Sequence, residues 1–446
     1  MSSSDRTNPR AVVPLLMLVA ACGHFNRVGI SVAGTERLIP VHGIAPDKMG
    51  MVYSAFLLAY TLAMLPGGFL IDRLGARTVL ILWGLGSTVF VACSGAIGLS
   101  VSEASGLWLG LMIVRSLLGM VNAPLHPAAA RTVFDEVSAN SRALSNGLVT
   151  GAACVGIASS YYGMKVLIDR FNWPVTFLVS SGFTLFVTIV WTLGTRAARP
   201  AASPSQADST PPSVNLSDIG IVLRNRSVMF VTLSYMAFGY FQYLFFYWIT
   251  YYFETIQKRP ASVALGYSTM ITLAMGVGMV GGGWLADHTP NSLPPRMRRA
   301  FVPVLGMILS GFIFELGLLA SDSQVTMIAF AIAAMAVGTC EGVFWTTSVE
   351  LGGRYGGTAG GLMNTGGNIG GTLSPYLTPL LGTLFARHYG DDMGWRLSLA
   401  TAGAIVILGA ALWWGVDGPV DSNPNEDDDS AESPFAMASA DISSQI

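Results

Sequence analysis

Twelve stretches of this chain are long and apolar enough to cross a lipid bilayer, and their number limits the fold more than any other feature. They are Val12–Ala33, Met49–Ile71, Val79–Leu99, Leu107–Ala130, Leu144–Ile168 and Val175–Leu193, then Val228–Tyr252, Val263–Ala286, Phe301–Ala320, Val325–Val349, Ala359–Phe385 and Leu397–Val416. A helix needs about 20 apolar residues to span the hydrocarbon core. Lipid offers no partner to a bare peptide group, so each stretch is predicted to be a helix. The chain is 52% hydrophobic and only 11% charged, with mean hydropathy +0.55. Soluble domains carry about a quarter charged residues. The sequence therefore predicts an all-α polytopic membrane protein. The net charge of −2 points to no partner. Cys22, Cys93, Cys154 and Cys340 all fall in apolar segments and read as packing residues, not disulfides or metal ligands. The polar N-terminus runs straight into a full-length span, unlike a cleavable signal.

The segments fall into two sets of six. Residues 1–193 form the first bundle and 228–416 the second. Between them lies a linker, 194–227, containing RPAASPSQADSTPPS; the tail, 417–446, carries NEDDDSAES and reads as disordered. With a cytoplasmic N-terminus, 14 of the 24 lysines and arginines fall inside, 8 outside and 2 in the membrane. That asymmetry predicts both termini inside.

The halves repeat. GGFLID at Gly67–Asp72 recurs as GGWLAD at Gly282–Asp287, a shift of 215 residues. The same shift carries Gly151 and Gly156 onto Gly366 and Gly371, and Arg27 onto Gln242. Such parallel repeats place substrate between the halves near the bilayer midplane.

Arg27 and Arg115 are the two arginines inside apolar segments. Burying an arginine in hydrocarbon costs about 2.5 kcal/mol or more, so each needs water, a partner or an anion. His24, Arg27 and Ser31 share one face of the first helix. Arg115, Gly119, Asn122 and His126 form one stripe of the fourth, where Pro124 and Pro127 predict a break. Neither helix holds a carboxylate in its span. Two arginines at similar depth make a site for an anion, whose carboxylate suits the planar guanidinium fork. Each arginine could instead satisfy main-chain carbonyls or extend to the surface. Asn364 and Asn368 lie one turn apart in a glycine-rich eleventh segment, and could contact ligand or bridge helices. The aromatics of FGYFQYLFFYW in the seventh read mainly as lipid contact and core. His24, His126 and Glu341 are titratable groups at membrane depth and are candidates for proton coupling. No nucleotide-binding loop GxxxxGK[ST], HExxH or CxxC occurs, so no ATP-driven, metal or cofactor chemistry and no enzyme activity is expected.

GGFLIDRLGARTVL resembles the loop signature of the major facilitator superfamily, implying that fold: 12 helices in two pseudo-symmetric six-helix halves. In that family Asp72, Arg73 and Arg77 would latch the cytoplasmic helix ends, with Asp287 as the second copy's aspartate. NRVGISVA, RSLLGMVNAPLHPAAARTVF, SRALSNGL and GGLMNTGGNIGGTLSP resemble more narrowly the anion:cation symporter family, which includes hexuronate, galactonate, glucarate and sialin-type carriers. The resemblance implies substrate contacts at Tyr60 and Gln242, which join Arg27, Arg115, Asn364, Asn368, Asn122 and His24 as the candidate substrate-binding residues. It also implies import of a sugar acid or related carboxylate with protons, in the plasma (inner) membrane, by a monomer with no nucleic-acid partner. The family's usual acids before the first arginine and after the second are here Asn26 and Asn122, and an amide does not titrate. Uniport or anion exchange is the first alternative, and a non-transporting anion sensor the second.

Overall fold

The computed structural model describes residues 9–44, 46–195, 219–290 and 292–417. The first half comprises α1 (Pro9–Ala33), α2 (Pro46–Leu74), α3 (Ala76–Ser100), α4 (Ala104–Asn122), α5 (Leu125–Glu136), α6 (Arg142–Phe171) and α7 (Trp173–Gly194). The second comprises α8 (Ile219–Arg224), α9 (Arg226–Tyr247), α10 (Ala261–Asp287), α11 (Pro295–Leu319), α12 (Ser323–Gly338), α13 (Glu341–Gly352), α14 (Gly356–Tyr389) and α15 (Asp391–Ala411). The described residues contain no strand.

Eleven stretches are long and apolar enough to span a membrane, but one of them, Ser323–Tyr389, has 67 residues. Straight, it would run about 100 Å, three times a bilayer's hydrocarbon thickness. It folds back at Gly353, whose φ of 52° only glycine adopts without strain. That hairpin makes two crossings, and so twelve among the described residues.

The fourth crossing breaks at Ala123–Pro124, where α4 gives way to α5. The tenth breaks at Thr339–Cys340 between α12 and α13, with no proline to announce it. Thr339 lies 215 residues after Pro124, so the two breaks are repeat-equivalent. The seventh crossing also departs from a single helix. α9 stops at Tyr247, and the chain turns at Trp248 before short helical turns reach Ile256. Part of the expected linker is helical: α8 packs Val222 into the second half's core. Residues 196–218 of the linker and 418–446 of the acidic tail lie outside the described residues.

Symmetry-related helices meet in the same way. α1 packs along α6, and α9 along α14. The halves join through α2 on α14 and α6 on α10. Glycine permits the closest of these approaches. A Cβ at Gly68 would collide with the Gly357 carbonyl, and one at Gly283 with the Ala143 carbonyl.

Candidate functional site

A cavity of about 1680 Å³ lies between the halves. It begins near Met17 and Met279 and extends toward the end opposite the chain termini, where Tyr53, Tyr162 and Thr250 line it. Among the predicted residues, His24, Arg27, Tyr60, Arg115, His126, Gln242, Glu341, Asn364 and Asn368 all line it.

Arg27 is half-buried on α1. Its guanidinium lies 5.0 Å from the ring centroid of Tyr60 and 5.4 Å from that of Phe56, both on α2. Such cation–π contact eases desolvation without neutralising the charge. The phenol of Tyr243, from the opposite half, faces the same guanidinium. No ion pair among the described residues includes Arg27.

Arg115 does something different. It is 1% exposed. Its Nη1 donates to the Asn26 carbonyl at 3.2 Å and its Nη2 to the Arg27 carbonyl at 2.7 Å. Arg115 reaches the cavity wall, as expected, but both terminal nitrogens bond α1 carbonyls and its Nε has no partner. α4 can hold it there because Gly119, one turn on, lets α4 lie directly on the α2 backbone at Phe56.

The two asparagines in place of the family's acids face away from the cavity. Asn26 accepts from Ser180 Oγ at 2.5 Å and donates to Thr184 Oγ1 at 2.8 Å, both on α7. Asn122 was expected among the substrate contacts. It accepts instead from Trp83 Nε1 at 3.1 Å and donates to the Leu118 carbonyl at 2.8 Å. Its amide is saturated within the first half, on the far side of α4.

In the second half, Glu341 is the cavity's one carboxylate among the described residues. It sits at the break between α12 and α13 and is 6% exposed. Tyr235 Oη (2.8 Å) and Trp345 Nε1 (2.9 Å) both donate to its Oε1, while Oε2 has no partner. Trp345 stacks on His126 at 5.6 Å, and His126 Nε2 lies 3.4 Å from His24 Nε2. Titratable groups thus run from one half to the other across the cavity wall. Asn368 spends its amide on the Asn364 carbonyl and side-chain oxygen. Asn364 and Gln242 reach sulfur, at Met64 and Met275, and lie against Tyr60 and Glu341 respectively. Sequence reasoning missed Tyr235, Tyr243 and Trp345. Trp345 follows Glu341 by one helical turn, a signal that was present but weak against the apolar background.

The end bearing Pro9 and Asp417 is bonded shut. Asp72 of α2 accepts from the main-chain N–H groups of Gly357 and Thr358, both at 2.7 Å, capping α14 of the opposite half. Asp287 of α10 accepts from Ala143 (3.1 Å) and Leu144 (2.8 Å), capping α6 of the first half. A carboxylate at a helix N-terminus satisfies orphan N–H groups and meets the positive end of the helix dipole. Arg131 adds a bond to the Gly353 carbonyl at 2.7 Å, and Arg142 pairs with Glu350 at 3.4 Å. The basic residues of the expected latch act elsewhere. Arg77 bonds Thr195 Oγ1 and the Thr192 carbonyl at the end of α7, within its own half, and Arg73 is exposed.

Twelve crossings, a cavity between two repeated halves and bonds closing one end describe a membrane transporter. The Major Facilitator Superfamily pattern matches residues 16–375, and the chain belongs to that superfamily. It is 25% identical over 340 residues to the probable galactarate/D-glucarate transporter GudP of Escherichia coli K12, covering 69% of this chain and 73% of that one. It is 26% identical over 299 residues to the D-galactonate transporter of Escherichia coli O6:H1, covering 62% of this chain and 66% of the relative. These similarities agree with the anion:cation symporter family. Among solved structures, the Escherichia coli fucose:proton symporter FucP superposes with a TM-score of 0.64 at 17% identity, over 90% of this chain and 98% of the other.

Proposed function

We propose that this protein is a secondary carrier that imports a small organic carboxylate together with a proton, acting as a monomer with its terminal end in the cytoplasm. The observation that carries the reading is Arg27: a cation inside the bilayer span, on the cavity wall, with no carboxylate partner among the described residues. A substrate carboxylate would supply the missing charge. Tyr60, Gln242, Asn364 and Asn368 line the same cavity and would contact the rest of the molecule. The caps at Asp72 and Asp287 would release as the terminal end opens. The sugar acids named for the relatives are the first substrates to test.

The coupling proton would be carried by Glu341, with the His24–His126 pair as the second position. Asn26 and Asn122 cannot serve, because neither titrates. The unpartnered Oε2 of Glu341, inside a cavity wall with no ion pair, supports this choice. Uptake into proteoliposomes under an imposed pH gradient tests the whole reading. Accumulation that follows the gradient, disappears in Arg27→Ala, and in Glu341→Gln gives way to exchange without accumulation is the expected result. Accumulation unaffected by Glu341→Gln, His24→Gln and His126→Gln would leave a uniporter or exchanger. Binding without any flux would make it a sensor.

A further inference from the structure

We infer that the cavity selects a monocarboxylate with an aromatic body over the polyhydroxylated acids named for its relatives. The inference rests on the carrier reading and narrows its substrate class.

Three observations carry it. The first is the count of available cations. Arg27 and Arg115 are the only arginines or lysines on the cavity wall among the described residues, and Arg115 gives both terminal nitrogens to α1 carbonyls. Only Arg27 presents terminal nitrogens that no main-chain carbonyl holds, so one carboxylate can meet a full guanidinium fork. A second would meet only the buried charge of Arg115, whose Nε is its one nitrogen without a partner, and Glu341 is the carboxyl group on the same wall.

The second is the state of the hydroxyls and amides. A polyol is recognised by donors and acceptors that are free to turn toward it, and a site built for hydroxyls loses affinity when those groups are otherwise engaged. Here Thr150 donates to the Asn146 carbonyl, Thr269 to Leu265 and Thr272 to Ser268, each back along its own helix. Thr250 and Ser268 bond to each other at 2.7 Å. Asn368 is held by Asn364, so Gln242 and Asn364 are the amides of the wall left to meet a hydroxyl.

The third is the pair of aromatic walls beside Arg27. On α2, Phe56 and Tyr60 stack with centroids 5.9 Å apart and planes 14° apart. On α9, Tyr243 and Tyr247 stack at 6.1 Å and 19°. All four line the cavity, one pair from each half. A flat ring whose carboxylate reaches Arg27 would have aromatic faces on both sides, in the offset or edge contacts such rings prefer. Closure of the halves would bring the walls together on it.

The test is equilibrium binding to the purified full-length protein in detergent, by calorimetry and thermal shift. Four probes separate the variables: phenylacetate, phthalate, galactonate and glucarate. Phenylacetate is expected to bind at least tenfold more tightly than each of the other three, and to lose that affinity in Arg27→Ala. Because Arg27→Ala could disturb folding, Tyr60→Leu and Tyr243→Leu provide an independent readout. They should weaken phenylacetate at least fivefold more than they weaken galactonate. Galactonate or glucarate binding as tightly as phenylacetate would overturn the inference and leave the organic-anion carrier standing. Phthalate binding best would overturn the single-cation argument alone and with it the monocarboxylate assignment. A panel in which no carboxylate binds would overturn both the inference and the carrier reading beneath it.

Discussion

The Nη2 of Arg115 holds the main-chain carbonyl of Arg27 at 2.7 Å. One intramembrane arginine therefore braces the backbone that carries the other, and their substitutions should have different signatures. Arg115→Ala removes two charged hydrogen bonds, each worth about 1.5–3 kcal/mol, and should lower the melting temperature by several degrees. Arg27→Ala should leave the melting temperature of the unliganded protein near the parent value. It should instead weaken ligand binding by about 10- to 100-fold, the equivalent of one charge-assisted contact. Melting curves with and without ligand separate the two.

Asn26 and Asn122 are structural in this chain. Asn26→Ala would strand the Ser180 hydroxyl of α7, and Asn122→Ala would strand the Trp83 indole N–H. An unpaired buried polar group costs about 1–3 kcal/mol. Both variants should melt earlier while their ligand affinity at saturation of folding changes less than twofold. A large loss of affinity in either would place its side chain in the binding site.

Asp72 and Asp287 hold the terminal end closed from opposite sides. Asp72→Ala or Asp287→Ala removes one helix cap, worth about 1 kcal/mol, from the closed arrangement. Single variants should raise the labelling rate of a cysteine introduced at Ser348, near the joined helix ends, by about fivefold. The double variant should exceed either. Unchanged labelling in the double variant would show that the Arg131 and Arg142 contacts suffice for closure.

Gly68 and Gly283 leave no room for a side chain where the halves meet. Gly68→Val or Gly283→Val should keep the terminal end from closing, because the obstructing atoms are main-chain carbonyls that cannot rotate away. Flux should fall at least tenfold with the protein still folded and labelled Ser348→Cys more reactive. Parent-level flux in both variants would mean that the helices can part without cost.

A pH profile of uptake tests the coupling groups separately from binding. Glu341→Gln should remove the dependence of accumulation on a pH gradient, whereas His24→Gln and His126→Gln should shift it only if the histidine pair takes part. Measuring exchange at equal pH on both sides guards against a variant that is simply inactive.

Much of this molecule could be read before its helices were assembled. Apolar length fixes the crossings because lipid permits so few backbone solutions. The 215-residue repeat pairs Asp72 with Asp287 and Arg27 with Gln242. The break after Asn122 follows from Pro124, since proline cannot donate to the helical ladder. The break at Thr339–Cys340 has no proline to announce it, and only its 215-residue offset from Pro124 marks it in the sequence.

By itself the sequence determined which residues lie at membrane depth and which helix face they share, since both follow from the rise and turn of a single helix. It could not determine where those faces point. Arg115 and Arg27 look alike in one dimension, yet one is consumed by carbonyls of α1 and the other is left on the cavity wall. Asn122 shares a stripe with Arg115 but turns its amide to Trp83. Asp72, expected to work with its neighbouring arginines, caps a helix 285 residues further along the chain. Hydrogen bonds and aromatic contacts form between groups brought together by helix packing, so only the tertiary structure decides which polar side chains are satisfied and which remain for a ligand.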